Sequence, residues 1–161
     1  MHLGKFARLI ISLFVCQLAG IVGSVFTITN IPTWYAFLQK PFFAPPNWLF
    51  GPAWITLYFL MGLALFFAWE KKVSKRNEKE KKSGIRLFEL QLSLNALWSF
   101  LFFGLQSPVL GLIGIVALWL SIAATMISFY KTSRRSFWLM VPYIAWVSFA
   151  SALNCMVWLL N

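Results

Sequence analysis

The stretch PTWYAFLQKPFFAPPNWLFGPAW, residues 32–54, lies between two long apolar runs and carries five prolines, three tryptophans and one lysine. Turns and connections are ordinarily rich in Gly, Asn, Asp and Ser. Proline fixes φ, so Pro41, Pro45 and Pro46 limit how far the segment can wander. The stretch therefore reads as a shaped lid over residues 34–46. Residues 47–51 lead into the next apolar run. Pro52 suits the first turn of a helix, where a missing N–H costs little. Trp54 is then the first ring inside, and Trp48 reads as an interfacial anchor.

The flanking runs decide the fold. The chain has 161 residues, which suits one domain. It is 60% hydrophobic and 11% charged, whereas soluble domains carry about 25% charged residues. Five apolar segments, about 6–28, 49–69, 85–105, 109–130 and 137–160, approach the roughly 20 residues that cross a bilayer. Lipid cannot satisfy open backbone groups, so each must be a helix. The expectation is an all-α integral membrane bundle of five transmembrane helices, a single multi-pass domain over residues 1–161. Lys5 and Arg8 precede the first run as in a signal peptide. The run continues to about Ile31, longer than a signal core, and is read as a retained span.

The net charge of +10 raises nucleic acid as a partner, but the distribution excludes it. Eight of the fourteen basic residues fall between Lys71 and Arg86, flanking apolar spans, which is a topology signal. With five spans, thirteen Lys/Arg gather on one side and Lys40 stands alone on the other. The charge rule places the N-terminus in the cytoplasm for an inner or plasma membrane; an outer or organellar membrane is the alternative. The run EKKVSKRNEKEKKSGIR (70–86) reads as a solvated loop or frayed helix ends, with contact to anionic lipid as the alternative. The short QSP connection (106–108) makes spans three and four antiparallel neighbours. There is no internal repeat of the transporter kind and no GxxxG motif.

Polar residues inside spans face protein or a cavity. Span three holds Glu89, Gln91, Ser93, Asn95 and Ser99. Glu89 is close enough to Arg86 to pair or to reach the interface. Asn95 lies mid-span and needs a partner within the bundle. Asn95, Trp98, Ser99 and Phe102 share a face at helical spacing, as do Trp54, Tyr58, Met61 and Gly62, and again Trp146, Ala150 and Asn154. Each stripe alone is explained by helix packing. Three together, under an aromatic loop, suggest a ring-lined pocket for a large, flat, mostly apolar ligand. No intramembrane acid–base pair, Ser/His/Asp set or axial haem pair is visible. Cys16 and Cys155 read as buried free thiols, and His2 is a poor base or ligand. No metal site and no required cofactor are expected.

Three stretches carry a resemblance: WYAFLQKPFFAPPNWLFGPAWITLYFLMGLA (34–64), LQLSLNALWSFLFFGL (90–105) and VPYIAWVSFASALNCMVWLLN (141–161). In order, and across five spans, they resemble the TspO, or translocator protein, family. That family comprises the tryptophan-rich sensory proteins of bacteria and the peripheral-type benzodiazepine receptor of mitochondria. The resemblance implies a five-helix bundle that holds ligands under the first loop, and frequent homodimers. It implies porphyrins such as protoporphyrin IX and haem as ligands, sterol-like lipids in some members, and synthetic isoquinoline carboxamides and benzodiazepines. Carried onto this chain, the ligand-binding residues are Trp34, Tyr35 and Pro45 in the lid, Trp54 and Tyr58 in span two, Asn95, Trp98 and Ser99 in span three, and Trp146 and Ala150 in span five.

The implied role is a receptor or carrier in tetrapyrrole sensing, transport or scavenging. Two alternatives stand beside it. One is light-dependent oxidative breakdown of protoporphyrin, for which Trp54 and Trp146 would be the catalytic residues. The other is lipid or sterol transport. Against a sterol role, NCMVWLLN (154–161) lacks the Tyr and Arg of the animal cholesterol pattern. Reversed patterns at Arg86–Phe88–Leu90 and Arg135–Phe137–Leu139 are of a kind that recurs by chance.

Overall fold

Apolar runs of this length have one backbone solution in lipid, and the computed structural model, which describes residues 4–161, shows it five times. The helices are α1 (Lys5–Asn30), α2 (Phe50–Glu70), α3 (Lys75–Ser99), α4 (Pro108–Thr132) and α5 (Arg134–Leu160). All five are long and apolar enough to span a membrane. The chain is thus a multi-pass integral membrane bundle. His2 lies outside the described residues. Around the bundle the helices neighbour one another in the order α1, α2, α5, α4, α3, with α3 closing back on α1.

Small residues let the helices approach, which is how packing is gained where lipid tails are as apolar as leucine. A Cβ on Gly62 of α2 would come 2.9 Å from the Leu13 Cα of α1. One on Gly84 of α3 would come 2.6 Å from Ser128 Oγ of α4. The missing GxxxG therefore says nothing about contact within the chain. Two buried threonine hydroxyls return their hydrogen bonds to their own helix: Thr125 and Thr132 donate to the carbonyls of Ser121 and Ser128 at 2.8 and 2.9 Å.

The lid differs from its sequence reading. Trp34 and Tyr35 are helical, not loop. A π-helical turn, Ile31–Tyr35, continues α1 at Pro32. A proline inside a helix lacks an N–H and crowds the preceding turn, and widening that turn relieves both. The irregular segment is residues 38–46, after which a 3₁₀ turn, Asn47–Leu49, feeds α2 with Pro52 in its first turn. A second π-helical turn, Phe100–Gly104, ends the third span.

The basic segment also differs. Helix α3 begins at Lys75, so only residues 71–74 remain as linker. Lys, Arg and Glu are good helix formers in water, and Glu78 and Lys82 pair one turn apart at 3.8 Å. Lys81 Nζ donates to the carbonyls of Trp69 and Lys71 at 2.8 and 2.7 Å, satisfying the end of α2. Arg8 and Glu70 pair at 2.7 Å, joining the start of α1 to the end of α2. Helices α4 and α5 are separated by Ser133 alone. Glu89 is exposed and pairs with no cation among the described residues.

Candidate functional site

The polar centre of the bundle is built on Asn95. From one face of α3 its side chain reaches two other helices: Tyr58 of α2 donates its hydroxyl to Asn95 Oδ1 at 2.5 Å, and Asn95 Nδ2 donates to Tyr143 Oη of α5 at 2.7 Å. All three side chains are buried. One helical turn on, Trp98 Nε1 donates to Asn154 Oδ1 at 3.4 Å, and Asn154 Nδ2 donates to the Pro108 carbonyl at 2.8 Å. The amide that could not snorkel has thus found its partners inside, as lipid requires.

Rings close around this centre. Trp54 lies 5.6 Å from Tyr58, 6.5 Å from Trp98 and 6.3 Å from Tyr143, centroid to centroid. Trp98 stacks on Phe102 at 5.5 Å, and Trp34 meets the same Phe102 edge-on at 5.4 Å. Such pairs add about 0.5–1.5 kcal/mol each beyond burial. A Cβ on Gly20 of α1 would come 2.6 Å from the Tyr58 ring, so α1 forms a wall here.

The structure thus brings Trp34, Trp54, Tyr58, Asn95 and Trp98 into one connected cluster. Tyr35 joins it through Phe102, at 6.2 Å. Ser99 is buried but turns toward α1, where a Cβ on Gly23 would come 3.0 Å from its Oγ. Ala150 is buried on α5, and Pro45 is half-buried in the irregular segment. Trp146 takes a different position. It packs on Phe50 at 6.3 Å and on Phe149 at 5.7 Å. It also lines an apolar groove of about 580 Å³ between α2 and α5, with Pro52, Thr56 and Pro142 among the walls.

Two residues were missed. Tyr143 supplies the third arm of the Asn95 centre; its signal was its place seven and eleven residues before Ala150 and Asn154, on one helical face. Phe50, four residues before Trp54, lies between Tyr35 (6.3 Å) and Trp146 (6.3 Å). The two residues it separates share a property. The Tyr35 hydroxyl and Trp146 Nε1 are both buried without a hydrogen-bond partner. Unpaired polar atoms are costly in a dry interior and stand as unspent binding capacity.

Among the described residues no cluster of His, Cys, Asp and Glu could hold a metal ion. Cys16 is buried, Cys155 is half-buried, and both are free. In the first reversed sterol pattern, Phe88 is fully buried and stacks on Phe129 at 6.1 Å, so that stretch does not present its aromatic to lipid.

A sequence model of the TspO/MBR family matches residues 12–159. The chain is 47% identical over 154 residues to the tryptophan-rich protein TspO of Archaeoglobus fulgidus, covering 96% of this chain and 97% of that protein. It is 37% identical to the human translocator protein, over 88% of this chain and 83% of that one. It is 36% identical to the tryptophan-rich sensory protein of Cereibacter sphaeroides, over 75% and 72% of the two chains.

Proposed function

From the premise that this chain belongs to the TspO/MBR family, we propose that it is a membrane receptor or carrier for porphyrins, protoporphyrin IX and haem among them, and for related flat apolar molecules. The relatives' names, sensory protein and translocator protein, support a sensing or transport role at the membrane. The observation that carries the finer reading is the pair of unspent groups at the Tyr35 hydroxyl and Trp146 Nε1 on either side of Phe50. Protoporphyrin IX and haem each carry an aromatic plane and two carboxylates. The plane suits Phe50, Trp54 and Trp146, and the carboxylates are the acceptors the two donors lack. A homodimer belongs to the same proposal: α1 exposes Phe14, Ile21, Val25 and Ile28 along one outer stripe.

The test compares protoporphyrin IX with its dimethyl ester, which keeps the plane and removes the charges. The free acid binds the native protein about tenfold more tightly than the ester, the worth of one charge-assisted hydrogen bond. In Tyr35→Phe the difference shrinks while ester affinity holds. Equal affinities of acid and ester for the native protein refute the carboxylate assignment.

A second reading has its own observation. Trp54 lies within 6.5 Å of three other oxidisable rings, Tyr58, Trp98 and Tyr143, an arrangement suited to light-driven oxidative breakdown of a bound porphyrin. Under light and oxygen it requires a new absorbing product formed in excess over protein. One bleaching event per protein supports binding with side chemistry instead.

A further inference from the structure

Where the start of α3 meets the end of α4, an open cleft of about 390 Å³ is lined by Arg76, Asn77, Lys79, Glu80, Ser83 and Lys131. Contacts between α3 and α4 hold its two walls together. Gly84 lets Ser128 close on α3, and Ser128 Oγ donates to the Glu80 carbonyl at 2.9 Å. Lys131 Nζ reaches Glu80 Oε1 at 3.4 Å, tying the two helices together across the cleft.

The charges around it are not balanced. Glu80 is committed to Lys131, Glu78 to Lys82, and Lys81 to the end of α2. Among the described residues Arg76 and Lys79 form no ion pair, and both are exposed. Asn77 and Ser83 add neutral donors. A guanidinium matches two phosphate oxygens at once, and an ammonium adds a second charge.

The position of the cleft selects the source of that phosphate. The apolar span of α3 starts at Ile85, directly after Gly84. On α4, Ile127 and Tyr130 are exposed beside it, and the Arg134 guanidinium lies 4.4 Å over the Tyr130 ring. Aromatic rings and cations at a span's end mark the headgroup level of a bilayer. An acyl chain leaving the cleft would run down the exposed side of α4. We infer that this cleft binds the phosphate of an anionic phospholipid headgroup, such as that of phosphatidylglycerol, in the leaflet that faces the basic ends of the helices.

The protein is reconstituted in phosphatidylcholine nanodiscs doped with spin-labelled phosphatidylglycerol or spin-labelled phosphatidylcholine. The motionally restricted fraction gives the preference for one lipid over the other. The native protein prefers phosphatidylglycerol. Arg76→Gln with Lys79→Gln lowers that preference about fivefold, the effect of roughly one interfacial charge after screening. Lys71→Gln with Lys72→Gln removes the same charge from the exposed linker outside the cleft, and shifts it less than about twofold. Equal losses from both pairs would show a diffuse field and overturn the site, as would no loss from the cleft pair. Inorganic phosphate displacing the labelled lipid as well as unlabelled phosphatidylglycerol does would overturn the lipid assignment in favour of a free anion. All four side chains are exposed, and an unchanged melting temperature confirms that the fold is intact.

Discussion

Asn95 on α3 donates its side-chain amide to the Tyr143 hydroxyl on α5 across 2.7 Å, while Tyr58 of α2 donates to the same amide's oxygen. One amide thus holds three helices together in a medium where no water can replace it. Asn95→Leu removes both bonds and leaves two hydroxyls unpaired. Interhelical hydrogen bonds in membranes average about 0.6 kcal/mol, so the loss is about 1–2 kcal/mol, or about 3–6 °C in Tm. Tyr143→Phe removes one bond and keeps the ring, and falls by about 1–2 °C. Thermal unfolding in detergent measures both. An Asn95→Leu protein that melts with the native one contradicts the account.

Glycines in this bundle divide by what surrounds them. Gly62 has the Leu13 backbone 2.9 Å from where its Cβ would be, while Gly51 has nothing within 4 Å. Gly62→Ala gains helix propensity yet must push α1 away, a net loss of about 1–2 kcal/mol. Gly51→Ala, in the open first turn of α2, is neutral or gains up to about 1 kcal/mol. Tm shifts of the same sign for both contradict the close approach of α1 and α2.

Asn161 and Gln39 fasten the irregular segment to the end of α5. The Gln39 N–H donates to Asn161 Oδ1 at 3.0 Å, and Asn161 Nδ2 donates to the Gln39 carbonyl at 3.0 Å. Asn161→Ala removes both bonds. Amide exchange at Gln39 then rises about fivefold, the effect of roughly 1 kcal/mol. Asn161→Asp keeps the acceptor for the Gln39 N–H and gives a smaller rise. Unchanged exchange in Asn161→Ala means that the segment is held by its prolines and rings alone.

The number and order of the helices were legible because length and apolarity alone decide them in lipid. The Asn95, Trp98 and Phe102 face was legible because a mid-span amide admits only one kind of environment. Trp34 and Tyr35 read as lid because they stand in the Pro- and Trp-rich stretch between two apolar runs; the π-helical turn that carries them on from α1 has no signature in one sequence. Residues 75–84 read as solvated chain because hydropathy marks where a span ends, not where a helix of Lys, Arg and Glu goes on in water. Tyr143 is hidden in the sequence because Trp146 dominates the stripe on α5. That ring is the larger landmark, yet it turns outward to Phe50 and the α2–α5 groove. The unpaired state of the Tyr35 hydroxyl and Trp146 Nε1 could be read only from atomic positions.

The most direct test is a titration of protoporphyrin IX against native protein and the Trp54→Phe/Trp146→Phe double variant, followed by quenching of the remaining tryptophans. Each substitution leaves a smaller ring, so the bundle keeps its melting temperature to within a few degrees. The account predicts that Kd rises about tenfold: Phe keeps a smaller stacking surface at both positions, and Trp146→Phe also removes the Nε1–H donor, whose charge-assisted hydrogen bond is worth about 1.5–3 kcal/mol. An unchanged Kd in a folded double variant would contradict porphyrin binding at this site.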